Sequence, residues 1–226
     1  IKENMETTAI LLAGGKSERI SVNDKTTMLI NNKMIFEYSL KQFQNNKHIT
    51  NITIVCSDQN KYLIESVKEN YNKINNIILG GENRLISVFN GFADSIKTEI
   101  TLIHDAARPL INERLITESI KYAKKYKSGI PIINQHDSMY IGDENKINNR
   151  LNRVEIIGSQ TPQSYDTKLL NKILNNSEIL NSKSSYNDLP ELLLANNITP
   201  YTFIGEKYNI KITIDKDLEI INKIIN

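Results

Sequence analysis

Three short stretches carry residue types suited to phosphate chemistry. Leu12-Ala13-Gly14-Gly15-Lys16-Ser17-Glu18-Arg19 directly follows the start of an apolar run, Thr8 to Ala13. Small residues at a strand end let backbone N–H groups approach phosphate oxygens closely, and Lys16, Arg19 and Lys25 can supply the countercharge of a triphosphate. The stretch matches neither the GxGxxG nor the P-loop pattern, and a double glycine after a strand is also an ordinary turn. Gly80-Gly81-Glu82-Asn83-Arg84 repeats the arrangement, with Ser87 one turn into the following helix. Two such loops can flank one nucleotide.

His104-Asp105-Ala106-Ala107-Arg108-Pro109 is the third stretch. A carboxylate emerging from a buried apolar strand is costly without a partner, so Asp105 is expected to hold a cation or to pair with Arg108. Mg²⁺ suits it, since that ion commonly takes one or two carboxylates together with substrate phosphates. His104 reads as a structural hydrogen-bonding residue rather than a base. With His48, His104 and His136 as the only histidines, neither a His-rich metal centre nor a Ser-His-Asp set is indicated. Lys211, in Asn209-Ile210-Lys211-Ile212-Thr213, lies among apolar neighbours where an ammonium needs an anion. Asp137-Ser138, Arg153, Thr161-Pro162-Gln163 and Asn187-Asp188 are further polar points, each compatible by itself with a cap, a turn or a surface pair.

The elements that must position these groups follow from hydrophobic periodicity. Short apolar runs alternate with longer amphipathic segments, which predicts an α/β fold with a mostly parallel sheet. Strands are expected at Thr8 to Ala13, Ile52 to Cys56, Ile77 to Leu79, Ile100 to His104, Gly129 to Ile133, Thr199 to Ile204 and Ile210 to Thr213. Helices are expected around Met34 to Phe43, Tyr62 to Tyr71, Arg84 to Ile96, Leu115 to Tyr126, Thr167 to Leu174, Leu189 to Asn196 and from Asp215 onward. The polar stretches then sit at strand C-terminal ends, the edge where open α/β sheets bind ligands. Residues 135–160 break the pattern with short β-like pieces and a turn at Gly142-Asp143-Glu144-Asn145. They read as a β-arm that cannot bury its own surface and that a partner subunit would cover.

Composition narrows the class. The 226 residues carry 28 Lys+Arg and 26 Asp+Glu, a net charge of +2, with 39% hydrophobic residues. That fits a single globular domain without the positive field of a nucleic-acid binder. One cysteine, Cys56, excludes an internal disulfide framework and a multi-cysteine zinc site, and it reads as an apolar filler in a strand. No apolar run is long enough to span a bilayer, and Ile1-Lys2-Glu3-Asn4 is too polar for a secretory signal, so a cytoplasmic protein is expected.

Taken in order and register, LLAGGKSER, GGENRLISVFNG, HDAARP, TPQSY and NIKIT resemble the cytidylyltransferases of 2-C-methyl-D-erythritol 4-phosphate and ribitol 5-phosphate over almost the full chain. The resemblance implies a Rossmann-like nucleotidyltransferase core with a mostly parallel mixed sheet and a protruding β-arm, residues 135–160, exchanged across a homodimer. It implies transfer of CMP from CTP to an alditol phosphate with Mg²⁺ and release of pyrophosphate. Ala13, Gly14, Gly15, Gly81, Glu82 and Ser87 match positions that hold the cytidine and ribose. Arg19, Lys25 and Lys211 match the cations around the triphosphate. Asp105 matches the Mg²⁺ ligand and substrate contact, while Arg108, Ser138, Arg153 and Asn187 fall at acceptor positions, Ser138 and Arg153 reaching the site from the partner's arm.

Three departures stand out. Ser17 replaces a second glycine, Asp24-Lys25-Thr26-Thr27 stands for a Pro-Lys-Gln-like segment so that Lys16 competes with Lys25 for the catalytic role, and Asn187-Asp188-Leu189-Pro190 replaces an acidic segment. Methylerythritol phosphate is the favoured acceptor, ribitol 5-phosphate or another alditol phosphate the alternative. A nucleotidyltransferase for another base or acceptor, and a nucleotide-binding homologue without turnover, are the other readings.

Overall fold

A computed structural model describes residues 6–15, 24–175 and 186–225. Strand β1 (Thr7–Leu12) leads toward a hairpin of β2 (Leu29–Ile30) and β3 (Lys33–Met34), then α1 (Ile35–Asn45), β4 (Ile49–Cys56), α2 (Lys61–Ser66), β5 (Ile74–Leu79) and α3 (Arg84–Ala93). Next come β6 (Ile100–Asp105), α4 (Glu113–Tyr126), β7 (Ser128–Asn134), β8 (Tyr140–Gly142), β9 (Ile147–Arg150), β10 (Ile157–Ser159), β11 (Gln163–Asp166) and α5 (Thr167–Leu174). The described chain closes with α6 (Leu189–Ala195), β12 (Thr202–Ile204) and α7 (Asp215–Ile225).

The main sheet runs β10-β7-β11-β6-β1-β4-β5, with β12 paired to β7. Strands β6, β1, β4 and β5 are parallel, whereas β11 is antiparallel to both β6 and β7. The sheet is therefore mixed and mostly parallel in its centre, as the alternating pattern predicts. Chain order reverses beside β1, because β4 and β5 extend one way and β6 returns on the other side. Such a reversal opens a crevice beyond the carboxyl ends of the strands.

Alternate residues of β1 enter opposite cores. Ala9 and Leu11 pack with Phe36, Leu40 and Phe43 of α1 and Leu115, Ile116 and Ile120 of α4. Ile10 faces Leu85, Val88 and Phe92 of α3, with Leu170 of α5 and Leu192 of α6 in the same cluster. Burial on both faces explains why the central strands read as continuous apolar runs.

Several expectations require correction. Ile210 to Thr213 has the alternation of a strand, but it joins no sheet; it lies along the loop after β6, with Ile212 N–H donating to the Ala107 carbonyl at 2.9 Å. The arm is shorter than residues 135–160, because Ile157–Ser159 pairs antiparallel with Ile132 to Asn134 in the main sheet. Its hairpin is β8 and β9 alone. The helix expected at Tyr62 to Tyr71 ends at Ser66 and gives way to one 3₁₀ turn, Lys68–Asn70. Helix α3 stops at Ala93, and β12 begins only at Thr202. Strand β11 was absent from the expectations, since Gln163-Ser164-Tyr165-Asp166 has no apolar alternation, yet Tyr165 is wholly buried.

Helix α3 approaches the sheet closely at Gly91, where a Cβ would lie 2.7 Å from Ile10 Cγ2 and 2.8 Å from Val55 Cγ2. Because α3 carries the second glycine loop at its start, this contact sets that loop's depth against the sheet. Gly91→Val is expected to overpack the contact and destabilise the protein by about 1–3 kcal/mol. Urea unfolding measures this directly, and an unchanged midpoint would mean that α3 moves away without strain.

Candidate active site

Strand register brings four chain segments to one level. Leu12 pairs with Val55 on one side and Asp105 on the other, and Cys56 pairs with Leu79. The loops leaving these ends enclose a cleft of about 690 Å³ bordered by Gly14, Gly15, Lys25, Gly81, Asp105 and Lys211 among others. Both glycine pairs thus open onto one cavity. Gly14 is required by close approach, because a Cβ there would lie 2.8 Å from the Cys56 carbonyl carbon and oxygen.

The first loop is tied down from a distance. Asn60, buried before α2, donates from Nδ2 to the Ala13 carbonyl at 2.8 Å, and Thr26 Oγ1 donates to the same carbonyl at 3.1 Å. The Thr26 backbone N–H in turn donates to Asp24 Oδ1 at 2.9 Å, which shapes the turn carrying Lys25. Nothing in the sequence pattern singles out Asn60. The second loop closes on itself: Gly81 N–H donates to Ser87 Oγ at 3.0 Å, and Ser87 Oγ–H donates to the Asn83 carbonyl at 2.9 Å. Asn83 also caps α3 by accepting from the Ile86 N–H.

Asp105 is the electrostatic centre of the cleft. Only 7% exposed, it accepts from Arg84 Nε at Oδ1 and from Lys211 Nζ at Oδ2, both at 2.9 Å. Burial alone would raise its pKa, but Arg84 and then Lys211 hold the carboxyl far below the usual carboxylate range. The expected pairing with Arg108 is corrected: Arg108 donates from Nη1 to the Asn209 carbonyl at 2.7 Å instead. Lys211, by contrast, has found the anion its apolar flanks demanded. Two cations against one carboxylate leave this contact net positive, with a third cation, the Arg108 guanidinium, in the same field.

His104 supports that edge without facing the cleft. Its Nε2 meets the Arg108 carbonyl at 3.2 Å, which can only accept, so Nε2 carries the proton and Nδ1 accepts from Thr161 Oγ1 at 3.0 Å. Thr161 Oγ1 also accepts from the Asp105 N–H at 3.1 Å. The imidazole is a structural hydrogen-bonding residue, as expected.

The remaining expected site residues divide. Gly14, Gly15, Lys25, Gly81, Glu82, Ser87, Asp105 and Lys211 line the cleft, whereas Ala13 sits behind it with its N–H donating to Val55 O at 2.7 Å. Arg108 is behind the Asp105 edge. Asn187 is turned to Glu191, its N–H donating to Oε2 at 2.6 Å. Ser138 and Arg153 lie on the exposed arm, where Arg153 Nη1 donates to the His136 carbonyl at 2.9 Å, and neither lines this chain's cleft. Lys16, Ser17 and Arg19 fall outside the described residues. Arg84 stands in the second glycine stretch, but its pairing with Asp105 spans 21 positions and no spacing rule reveals it.

Burial pushes the His104 imidazole down to about 3, so the folded protein keeps it neutral while the unfolded chain takes up a proton below about pH 6.5. The unfolded state then binds more protons, and stability falls as pH drops from about 6.5 toward 3, by at most about 1.4 kcal/mol per pH unit from this group. Urea midpoints should decrease between pH 7 and pH 5, and the decrease should be smaller in His104→Gln. Identical decreases in the two proteins would remove His104 as the cause.

Comparison with known proteins places the chain in a family. A family model described as IspD, 2-C-methyl-D-erythritol 4-phosphate cytidylyltransferase, matches residues 7–226. A relative of that name from Clostridium beijerinckii is 34% identical over 214 residues, covering 93% of this chain and 94% of its own. Another from Clostridium botulinum is 32% identical over 222 residues, covering 96% and 98%. Among solved structures, 4-diphosphocytidyl-2C-methyl-D-erythritol synthase from Anaerococcus prevotii has a TM-score of 0.84 at 25% identity, covering 99% of each chain. The bifunctional IspDF from Campylobacter jejuni has a TM-score of 0.79 at 25% identity, covering 95% of this chain and 53% of that one. Sequence and backbone thus agree over nearly the whole chain, and the chain belongs to the 2-C-methyl-D-erythritol 4-phosphate cytidylyltransferase family.

Proposed function

We propose that the protein transfers CMP from CTP to 2-C-methyl-D-erythritol 4-phosphate and releases pyrophosphate, a step in making isoprenoid precursors. The observation that carries this reading is the Asp105 carboxylate held between Arg84 and Lys211 at the edge of a cleft shared by two glycine loops. The names of the relatives favour methylerythritol phosphate over ribitol 5-phosphate as acceptor.

In this reading an oxygen of the acceptor phosphate attacks the α-phosphorus of CTP. The bond from that phosphorus to the oxygen bridging the β-phosphate breaks, and pyrophosphate leaves with the electron pair. A phosphate monoester is already anionic near neutral pH, so the nucleophile needs no general base. That agrees with a cleft whose nearest histidine is buried, neutral and engaged elsewhere. The protein's task is in-line positioning and neutralisation of charge. Backbone N–H groups of Gly14 and Gly15 would hold the nucleotide with Gly81, Glu82 and Ser87 across the cleft and Ala13 backing the first loop, while Arg19, Lys25 and Lys211 would face the triphosphate. Asp105 would meet the acceptor, while Arg108 and Asn187 would reach it only by releasing the Asn209 carbonyl and Glu191.

Asp105 fits Mg²⁺ as a single hard oxygen ligand, since each carboxylate oxygen keeps a lone pair beyond its one described hydrogen bond. Among the described residues no group of three or more His, Cys, Asp or Glu could hold a metal, so phosphates and water would complete the shell. Bound there, the ion would screen phosphate charge during the displacement.

A homodimer completes the reading. On the arm, Val154 is 83% and Ile147 67% exposed, apolar surface that a second copy would cover while bringing Ser138 and Arg153 to its neighbour's cleft.

Pyrophosphate should appear when the protein is mixed with CTP, Mg²⁺ and 2-C-methyl-D-erythritol 4-phosphate, and not when ribitol 5-phosphate replaces the acceptor. Lys25→Ala is expected to lower turnover on the order of 10²-fold. Absence of pyrophosphate with every acceptor would sink the assignment, and an unaffected Lys25→Ala would move the role to Lys16. Mixing Arg153→Ala subunits with Asp105→Ala subunits should restore part of the activity, whereas a monomer in sedimentation would dispose of the shared site.

A further inference from the structure

Arg84 belongs to both sides of the cleft. Its backbone ends the second glycine loop and begins α3, on the nucleotide side. Its side chain crosses to Asp105 Oδ1, and its charge also reaches Tyr165 and Asp188, the latter capping α6 beside Asn187. The guanidinium is not what shapes the loop. Asn83 caps the helix and Ser87 closes the turn without it. Meanwhile Arg84 Nη1 is buried with no hydrogen-bond partner among the described residues. Among the described residues, the side-chain hydrogen bond of Arg84 is the one from Nε to Asp105.

We infer that Arg84 is a positioning residue for the transfer: it fixes the orientation of the Asp105 carboxylate, which would accept from hydroxyl groups of the acceptor, and thereby sets the acceptor relative to the nucleotide. The inference rests on the reaction proposed above.

The physical case is the difference between two cations. Rotation of a carboxylate about its last bond is broad and weakly restrained, so one contact cannot hold its plane. Lys211 offers a point charge on a flexible stem, with its side chain 38% exposed. Arg84 offers a planar donor anchored at a helix start, its side chain 25% exposed, and it takes the opposite oxygen. Arg84 therefore supplies direction where Lys211 supplies charge. Arg108, the neighbour in sequence, is committed to Asn209 and cannot replace it.

The test compares the full-length native protein with Arg84→Met, Asp105→Asn and the double variant. CTP affinity, read by calorimetry, should change less than about threefold in Arg84→Met, because the loop keeps its backbone contacts. Its kcat/KM for the acceptor should fall about 10²-fold, the loss expected when a reacting group is misplaced by about 1 Å. The double variant should be no slower than Asp105→Asn alone, because Arg84 acts through that carboxylate. Arg84→Lys keeps the charge and should recover part of the rate, remaining about 10-fold below the native protein.

Multiplying losses in the double variant would overturn the inference. So would unaffected turnover in Arg84→Met, a loss confined to CTP affinity, or an Arg84→Lys rate equal to the native one. The lysine arm also decides the matter if the methionine variant does not fold. A native protein without turnover removes the proposed reaction and this role together, whereas native turnover with an indifferent Arg84 removes only the role.

Discussion

A carboxylate buried at the end of a parallel strand has to be neutralised, and the way Asp105 meets that requirement organises the rest of the cleft. Its partners come from segments 21 and 106 positions away, Arg84 at the start of α3 and Lys211 in the stretch before α7. The pair of contacts thus joins the second glycine loop, strand β6 and the C-terminal segment at one point. Losing both cations would leave a buried charge uncompensated, an arrangement far costlier than a broken exposed ion pair. The backbone beneath is equally constrained. The Asp105 N–H is taken by Thr161, which is itself oriented by a neutral His104.

Because two cations face one anion, the edge is positive although the whole chain carries only +2. Charge imbalance held in a partly buried cleft acts more strongly than the same charges in water. Such an edge suits phosphate groups arriving from both sides, one set on the nucleotide and one on the acceptor. The nearby histidine is used for structure. The glycine loops add N–H donors, and Gly14 keeps the first loop pressed against the end of β4.

The region outside this core follows a different rule. The main sheet buries both faces, yet the β8–β9 hairpin carries Tyr140, Ile141 and Ile147 into solvent. Its residues contribute nothing to the cleft of their own chain. Strand β10 brings the chain back into the sheet next to β7, so the arm is rooted at both ends in rigid structure. A projection of this kind can deliver a side chain to a site that it does not itself build.

The α/β class, the order of most elements and the three polar stretches were legible in the sequence, because periodic burial and glycine pairs are local patterns that each residue carries in its own type and spacing. Thus β1, β4, β6, α4 and α5 lie close to their expected positions, and both glycine loops border one cleft. What only the tertiary structure decided is which groups meet. Asp105 pairs with Arg84 and Lys211 rather than Arg108, Asn60 holds the Ala13 carbonyl 47 positions away, and β11 enters the sheet without an apolar pattern. Ile210 to Thr213 alternates like a strand but finds no neighbouring edge, so it remains a single extended segment against Ala107. The reason is common to all four. Alternation and helical spacing report how a segment meets its immediate surroundings, whereas ion pairs, long hydrogen bonds and strand partners depend on which surfaces the finished fold brings within a few ångströms of each other.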